Sequence, residues 1–149
     1  MIDWALIPVK SFDVGKSRLR KVFSLQELIL LNISLFQSTF LKVKDSGQFD
    51  HILVVSRDKN ALAWAEANQG ECLLEENTET LNSALTQGLA WIASHGAGSV
   101  LILPTDLPLL TVDDLTSLCA YQPEDPGMLI VPDHAQLGTN ALLITRPDL

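Results

Sequence analysis

Five of the chain's ten basic residues, Lys10, Lys16, Arg18, Arg20 and Lys21, lie within twelve positions of one another, in a protein whose 18 Asp and Glu leave it at −8 near neutral pH. Up to residue 21 these five cations meet only Asp3 and Asp13, whereas the rest of the chain carries five cations and sixteen carboxylates. A positive island in a negative chain suits one phosphate-bearing ligand with a defined seat; a solvated helix start is the plainer reading of the same cluster. The loop offers Gly15-Lys16-Ser17, but the first glycine of G-x-x-x-x-G-K-[ST] would fall on Lys10, so this is not a P-loop.

Three further places could do chemistry. Pro104-Thr105-Asp106-Leu107-Pro108 holds a single carboxylate between two prolines, which narrow the backbone's freedom and aim the side chain. Mg²⁺ takes oxygen ligands and is usually held by one or two carboxylates plus substrate phosphates, which suits Asp106; a turn or helix-start aspartate explains it as simply. Leu81-Asn82-Ser83-Ala84-Leu85 opens a helix with an amide, Asn82, that could read a base or ribose or could cap the helix. Asp133 follows Pro132, and Gly138-Thr139-Asn140 offers a close backbone approach, a hydroxyl and an amide, or a plain turn before a strand. Cys72 and Cys119 are isolated thiols, and His51, His95 and His134 are scattered. Neither a disulfide framework nor a zinc site is expected, and the cysteines read as small buried hydrophobes.

The elements that must position these residues are short apolar runs alternating with longer amphipathic ones, the pattern of strand-helix-strand units around a mostly parallel sheet. The strands are expected at Trp4–Val9, Ile52–Ser56, Glu71–Leu74, Ser99–Leu103, Met128–Val131 and Asn140–Ile144. The first, and the fourth after its opening Ser99, are near-continuously apolar, as strands covered on both faces must be, and the first is expected to be central. Ser24-Leu25-Gln26-Glu27 is a capping box that starts a long helix with Leu28, Leu31, Ile33, Leu35, Phe36 and Phe40 on its apolar face. That helix reaches about Val43 and is ended by Asp45-Ser46-Gly47. Further helices run over Lys59–Asn68, closed by Gly70 with Leu62 and Trp64 turned to the core, and over Leu81–Ser94, closed by His95-Gly96. A last one runs from the Thr111-Val112-Asp113-Asp114 box to about Ala120, and residues 122–127 read as a loop. In such an α/β fold ligands bind beyond the carboxyl ends of the strands, where the candidate residues fall.

At 149 residues and 47% apolar, the chain is expected to be one globular domain with its own core, and it shows no internal repeat. The negative balance argues against a nucleic-acid partner. No signal-peptide pattern and no apolar run near the ~20 residues that span a bilayer are present, so the expectation is a cytoplasmic protein with no membrane contact.

Taken in order, Ile7-Pro8-Val9-Lys10 with Lys16-Ser17-Arg18-Leu19, Leu81-Asn82 with Ala84-Leu85, Leu103-Pro104 with Asp106-Leu107-Pro108-Leu109-Leu110, and Gly138-Thr139-Asn140-Ala141-Leu142-Leu143 resemble a known family. These are the motifs of the 2-phospho-L-lactate or phosphoenolpyruvate guanylyltransferases of coenzyme F420 biosynthesis, within the MobA-like nucleotidyltransferase fold. Other branches of that fold open with a glycine-rich LAGG-type loop, where this chain has Ile7-Pro8-Val9-Lys10. The resemblance implies a Rossmann-like three-layer sandwich and a Mg²⁺-dependent transfer of GMP from GTP to a small phosphorylated carboxylic acid, with release of pyrophosphate. It implies that Lys10, Lys16 and Arg18 neutralise the triphosphate, with Lys16 also catalytic, that Asp106 holds the metal, and that Asn82 contacts the nucleoside. Thr139 and Asn140 would touch the acceptor. Since the acceptor's phosphate carries the attacking oxygen, no Ser/His/Asp or Cys/His constellation is expected. Family members usually continue past the point where Arg146-Pro147-Asp148-Leu149 ends this chain, with an acceptor loop and a second acidic cluster. The expectation is therefore a C-terminally short domain in which only Asp133 is at hand to partner Asp106. A sheet edge exposed by that shortening could be covered in a homodimer. The alternatives are a non-catalytic nucleotide-binding domain and a different nucleotidyltransferase of the same fold.

Overall fold

The computed structural model describes residues 2–13, 19–76, 80–121, 127–133, 135 and 139–145. Their elements, in chain order, are β1 (Ile2–Val9), α1 (Leu25–Ser46), β2 (Phe49–Ser56), α2 (Lys59–Ala67), β3 (Glu71–Leu74), α3 (Leu81–Ser94), β4 (Ser99–Ile102), α4 (Val112–Ala120), β5 (Gly127–Pro132) and β6 (Thr139–Thr145), with a 3-10 turn at Leu19–Lys21. The strands form one sheet in the order β3-β2-β1-β4-β6-β5. β1 is parallel to β2 and β4, and β2 to β3, while β6 is antiparallel to both β4 and β5. The sheet is thus mostly parallel, with β6 alone running against the rest and β1 in the interior.

The order of strands dictates the layers. From β1 to β3 the chain steps outward in one direction, and from β3 to β4 it steps back across β2 and β1. Parallel crossovers are right-handed, so the returning helix α3 must lie on the opposite face from α1 and α2. The packing follows: Phe36, Phe40 and Val43 of α1, Ala61 and Ala65 of α2 and Leu115 of α4 share one core with Ile7, Val9, Val54 and Leu101. On the other face Ala84 and Ile92 of α3 pack with Trp4, Leu6, Leu53 and Val55. A Cβ on Gly88 of α3 would lie 2.8 Å from Leu6 Cδ1 and 3.0 Å from Val55 Cγ2, so its hydrogen lets the helix seat directly over β1 and β2.

Local signals explain most element ends. Ser24 caps α1 with both bonds of a capping box, its Oγ accepting from the Glu27 N–H at 3.2 Å and Glu27 Oε1 accepting from the Ser24 N–H at 3.1 Å. Hydrogen bonding by the Ser24 main chain, and then by its side chain, holds the Glu27 carboxyl below the ordinary glutamate range. Thr111 and Asp114 repeat the box at α4. Gly47 ends α1 with φ 65°, the left-handed position an L side chain avoids. Gly70 does not do the same for α2. Asn68 caps that helix, Gln69 takes the left-handed φ of 66°, and Gly70 is required by space, since a Cβ there would sit 2.8 Å from the Phe40 ring. Ala61 and Ala65, which face the sheet, are the fully buried residues of α2, while Leu62 and Trp64 are half-buried against the same core. β2 begins three residues before its expected start, because Phe49, Asp50 and His51 join the ladder through main-chain bonds that ask nothing of the side chains.

The two thiols differ in setting. Cys119 is buried, and that burial pushes it up to about 11. Cys72 is half-buried, its Sγ 3.0 Å from the Leu62 carbonyl, and its pKa too is raised by burial first and by Glu66 second. Because the thiolate is the reacting form, labelling of the native protein at pH 8 by a thiol-specific reagent is expected to be at least ~10-fold slower at both cysteines than after denaturation. Cys119→Ala and Cys72→Ala assign the two rates. The same sign holds for stability: a raised folded pKa favours the native state below the ordinary thiol range, and that contribution fades as pH rises from there towards 11.

Candidate functional site

Of the residues singled out by type, Lys10, Asn82, Asp106, Asp133, Thr139 and Asn140 gather at one end of the sheet, the one beyond the carboxyl ends of the parallel strands. Leu6 pairs with Ile102, and the Leu103 N–H donates to the Leu6 carbonyl at 3.0 Å, carrying the β1–β4 ladder one step past β4. Lys10 and Asp106 each stand four residues beyond that pair, on neighbouring strands, at the point where the strand order switches direction. Both are exposed. Asp106 is carried on an anchored turn: Leu103 before it is 1% exposed, Leu107 and Leu110 after it pack against the core, and the Leu110 N–H donates to the Leu107 carbonyl at 3.1 Å.

The antiparallel course of β6 brings its first residues to the same end. Leu142 pairs with Ile102, so Thr139 and Asn140, which precede Leu142, lie on the side of the β4 carboxyl end. β5 runs parallel to β4 and delivers Asp133 there as well, with Pro132 paired to Thr139. Thr139 is exposed and Asn140 and Asp133 are half-buried.

Asn82 reaches this end from the other face. Gly88, which touches Leu6 and Val55, lies six residues further along α3, or ~9 Å at the helical rise, so the start of α3 stands towards the carboxyl ends. The cap of α3 is Thr80, whose Oγ1 accepts from the Ser83 N–H at 3.2 Å. Asn82 sits within the first turn, exposed, and its carbonyl accepts from Thr86 Oγ1 at 2.8 Å. The capping role is therefore taken, and the amide of Asn82 is spared from it. Lys16 and Arg18, together with Gly138, lie outside the described residues.

The loop after β1 is tied down by residues whose types do not announce it. Phe12 is 7% exposed and its ring stands 6.0 Å from that of Phe36. Its N–H donates to Asp58 Oδ2 at 3.0 Å and its carbonyl accepts from Asn32 Nδ2 at 2.9 Å. Asp58 is also the cap of α2, its Oδ1 accepting from the Asn60 N–H at 2.9 Å. The loop after β3 has a similar tie: Gln87 of α3 takes the Glu76 N–H on Oε1 and gives Nε2 to the Glu76 carbonyl, each at 3.0 Å. Among the described residues no group of three His, Cys, Asp or Glu gathers as an all-protein metal cage.

Comparison with known proteins places this end of the sheet in context. The family model described as "Guanylyl transferase CofC like" matches residues 3–149. A phosphoenolpyruvate guanylyltransferase of Rubrobacter xylanophilus is 35% identical over 147 residues, which cover 99% of this chain and 71% of that protein. A 2-phospho-L-lactate guanylyltransferase of Methanobrevibacter ruminantium is 29% identical over 154 residues, covering 95% of this chain and 63% of that one. A solved structure from Desulfovibrio desulfuricans, described as that of a nucleotide-diphospho-sugar transferase, superposes with a TM-score of 0.69 at 14% identity, covering 98% of this chain and 64% of the other. At that identity the likeness speaks for the fold, an α/β sandwich of the nucleotidyltransferase kind.

Proposed function

We propose that this chain, which belongs to the CofC-like guanylyl transferase family, moves GMP from GTP to the phosphate of a small phosphorylated carboxylic acid, phosphoenolpyruvate or 2-phospho-L-lactate, as a step of coenzyme F420 biosynthesis. In the reaction an oxygen of the acceptor's phosphate bonds to the α-phosphorus of GTP. The bond from that phosphorus to the bridging oxygen breaks, and pyrophosphate leaves with the electron pair. The observation that supports this reading best is the placement of Lys10 and Asp106 just beyond β1 and β4, the strands that flank the switch point, with the Thr139–Asn140 pair at the same end on β6 beside β4.

That placement supports the roles of Lys10, Asp106, Asn82, Thr139 and Asn140, and the family resemblance alone supports those of Lys16 and Arg18. Lys10, with Lys16 and Arg18 from the same cationic segment, offsets the charge of the triphosphate and of the departing pyrophosphate, and Lys16 is assigned the catalytic share. Asn82 at the head of α3 contacts the nucleoside, and Thr139 and Asn140 at the head of β6 contact the acceptor. Asp106 fits Mg²⁺ as one protein carboxylate sharing the ion with substrate phosphates, the usual arrangement for that metal, and a bound ion would supply charge neutralisation there. Everything asked of the chain itself is binding, orientation and charge placement, so no nucleophilic side chain is needed.

The test is pyrophosphate release from GTP and Mg²⁺ with phosphoenolpyruvate, with 2-phospho-L-lactate and with no acceptor, beside a binding titration of GTP, CTP and ATP. Release that requires an acceptor and prefers GTP is the expected result. GTP binding with no release in any lane would instead favour a nucleotide-binding domain, and preference for another base a different transferase.

Self-association has a surface to act through. β5 lies at the edge of the sheet, with Met128 and Ile130 on it 57% and 55% exposed. A second copy paired along that strand would cover both side chains. Light scattering is expected to show a dimer that Ile130→Lys converts to monomer; a wild-type monomer at high concentration rejects the idea. No helix among the described residues is long and apolar enough to cross a membrane.

A further inference from the structure

We infer that Asp58 and Asn32 are positioning residues for the proposed transfer: by holding both main-chain groups of Phe12 they keep the segment that carries Lys10 in its binding-competent place. The inference rests on the reading of Lys10 as a triphosphate contact. Neither residue is placed in contact with substrate.

Phe12 lies two residues past Lys10 and is the first buried residue after β1. A loop residue fixed by only one of its main-chain groups can still rotate about the remaining bonds. Here the N–H is held by Asp58 Oδ2 at 3.0 Å, the carbonyl by Asn32 Nδ2 at 2.9 Å, and the ring by Phe36, so position and orientation are both set. The two holders come from different elements, Asp58 from the cap of α2, two residues past β2, and Asn32 from within α1, both of which pack on the sheet. Asp58 is held in turn, since its N–H donates to Ser56 Oγ at 3.0 Å and Ser56 is fully buried. The bond to Phe12 also ends on a carboxylate, and hydrogen bonds to a charged acceptor are about twice as strong as neutral ones.

The division of labour within Asp58 makes the role separable from folding. Oδ1 serves the α2 cap and Oδ2 serves Phe12. Asp58→Asn can keep one oxygen for the cap, a position where asparagine is as good as aspartate, but presents an amide N–H₂ to the Phe12 N–H. Asn32→Asp, equal in size, faces the Phe12 carbonyl with a carboxylate oxygen. If loss of either hold leaves the loop in place about one-tenth of the time, the apparent affinity for nucleotide falls about tenfold, because only the competent fraction binds.

Three readings on the full chain test this: GTP affinity by titration, KM and kcat for pyrophosphate release, and hydrogen exchange at the Phe12 amide. In each single variant the exchange at Phe12 is expected to quicken at least ~10-fold, and the GTP Kd and KM to rise about tenfold, with kcat changed far less. The double variant is expected to cost clearly less than the product of the two, since both hold one residue. Unchanged Phe12 exchange in both variants overturns the clamp. Quickened exchange with wild-type GTP affinity overturns its bearing on function. Wild-type protein that shows a protected Phe12 but no GTP binding overturns the transferase reading and the functional half of this inference together, while the exchange data still decide the clamp. Asp58→Ser, which keeps a capping oxygen and removes the second, controls for loss of the helix start: it should match Asp58→Asn in KM if the clamp is the cause.

Discussion

Replacing Asp106 with alanine is expected to lower pyrophosphate release by about 10²–10³-fold, the scale seen when one preorganised electrostatic group is removed from a charge-developing transition state. The phosphates of donor and acceptor both carry negative charge, so the reaction needs neutralisation more than it needs a nucleophile, and Asp106, itself an anion, would meet that need only through the Mg²⁺ it would hold. Asp106 is the carboxylate beyond the end of β4, across the switch point from Lys10, and among the described residues no group of three acidic or metal-ligating side chains gathers. Asp106→Asn, which keeps size and hydrogen bonding but not charge, should lose nearly as much, separating the electrostatic requirement from a shape requirement. Since Asp106 is exposed and its turn is anchored by Leu103, Leu107 and Leu110, stability should stay within ~0.5 kcal/mol of the parent. A mutant with full activity, or one whose loss tracks unfolding, would remove Asp106 from the site.

How far such a site can be read without coordinates depends on which atoms do the work. Lys10 and Asp106 are legible because each follows an apolar run, and a run buried on both faces is a strand whose carboxyl end is predictable. The convergence of Thr139 and Asn140 on the same end is less so, because it depends on β6 running against β4, and an apolar strand carries no mark of its direction. Asp58 and Asn32 leave no readable trace. They act on the main chain of Phe12, 46 and 20 residues away, and a backbone partner has no side-chain type to pair with in the pattern. Asn82 shows the opposite case, in which the sequence allowed a cap or a ligand contact and the observed Thr80 cap narrows the choice.

Element ends divide in the same way. Ser24, Gly47 and the Thr111–Asp114 pair act through local bonds within a few residues, so their effect is visible in the sequence. Gly70 was the natural stop for α2 on the same logic, yet its lack of a side chain serves Phe40, thirty positions earlier, and the stop is made by Asn68 and Gln69. A glycine after a helix therefore has two explanations, one local and one tertiary, and only the neighbour across the core distinguishes them.

Phe36→Ala is expected to be the most damaging single truncation for the fold. Phe36 is 1% exposed, and its ring meets those of Phe12 at 6.0 Å, Phe40 at 6.3 Å and Trp64 at 5.4 Å, so it joins the β1 loop, α1 and α2 at one point. Removing a buried aromatic ring costs about 3–5 kcal/mol in lost transfer energy and cavity, a large part of the ~5–15 kcal/mol that holds a domain folded. For a chain of this size that corresponds to a fall in Tm of roughly 6–20 °C, measurable by calorimetry. Phe36→Leu, which refills much of the volume, should recover more than half of the loss. Leu109→Ala, at a side chain 89% exposed, should change nothing and sets the baseline. The alanine variant should also weaken GTP binding at temperatures where it remains folded, because Phe12 loses the ring it rests on while Asp58 and Asn32 still hold its main chain. A cost below ~1 kcal/mol would mean that the cavity collapses freely and that α1, α2 and the loop after β1 are not joined through this ring.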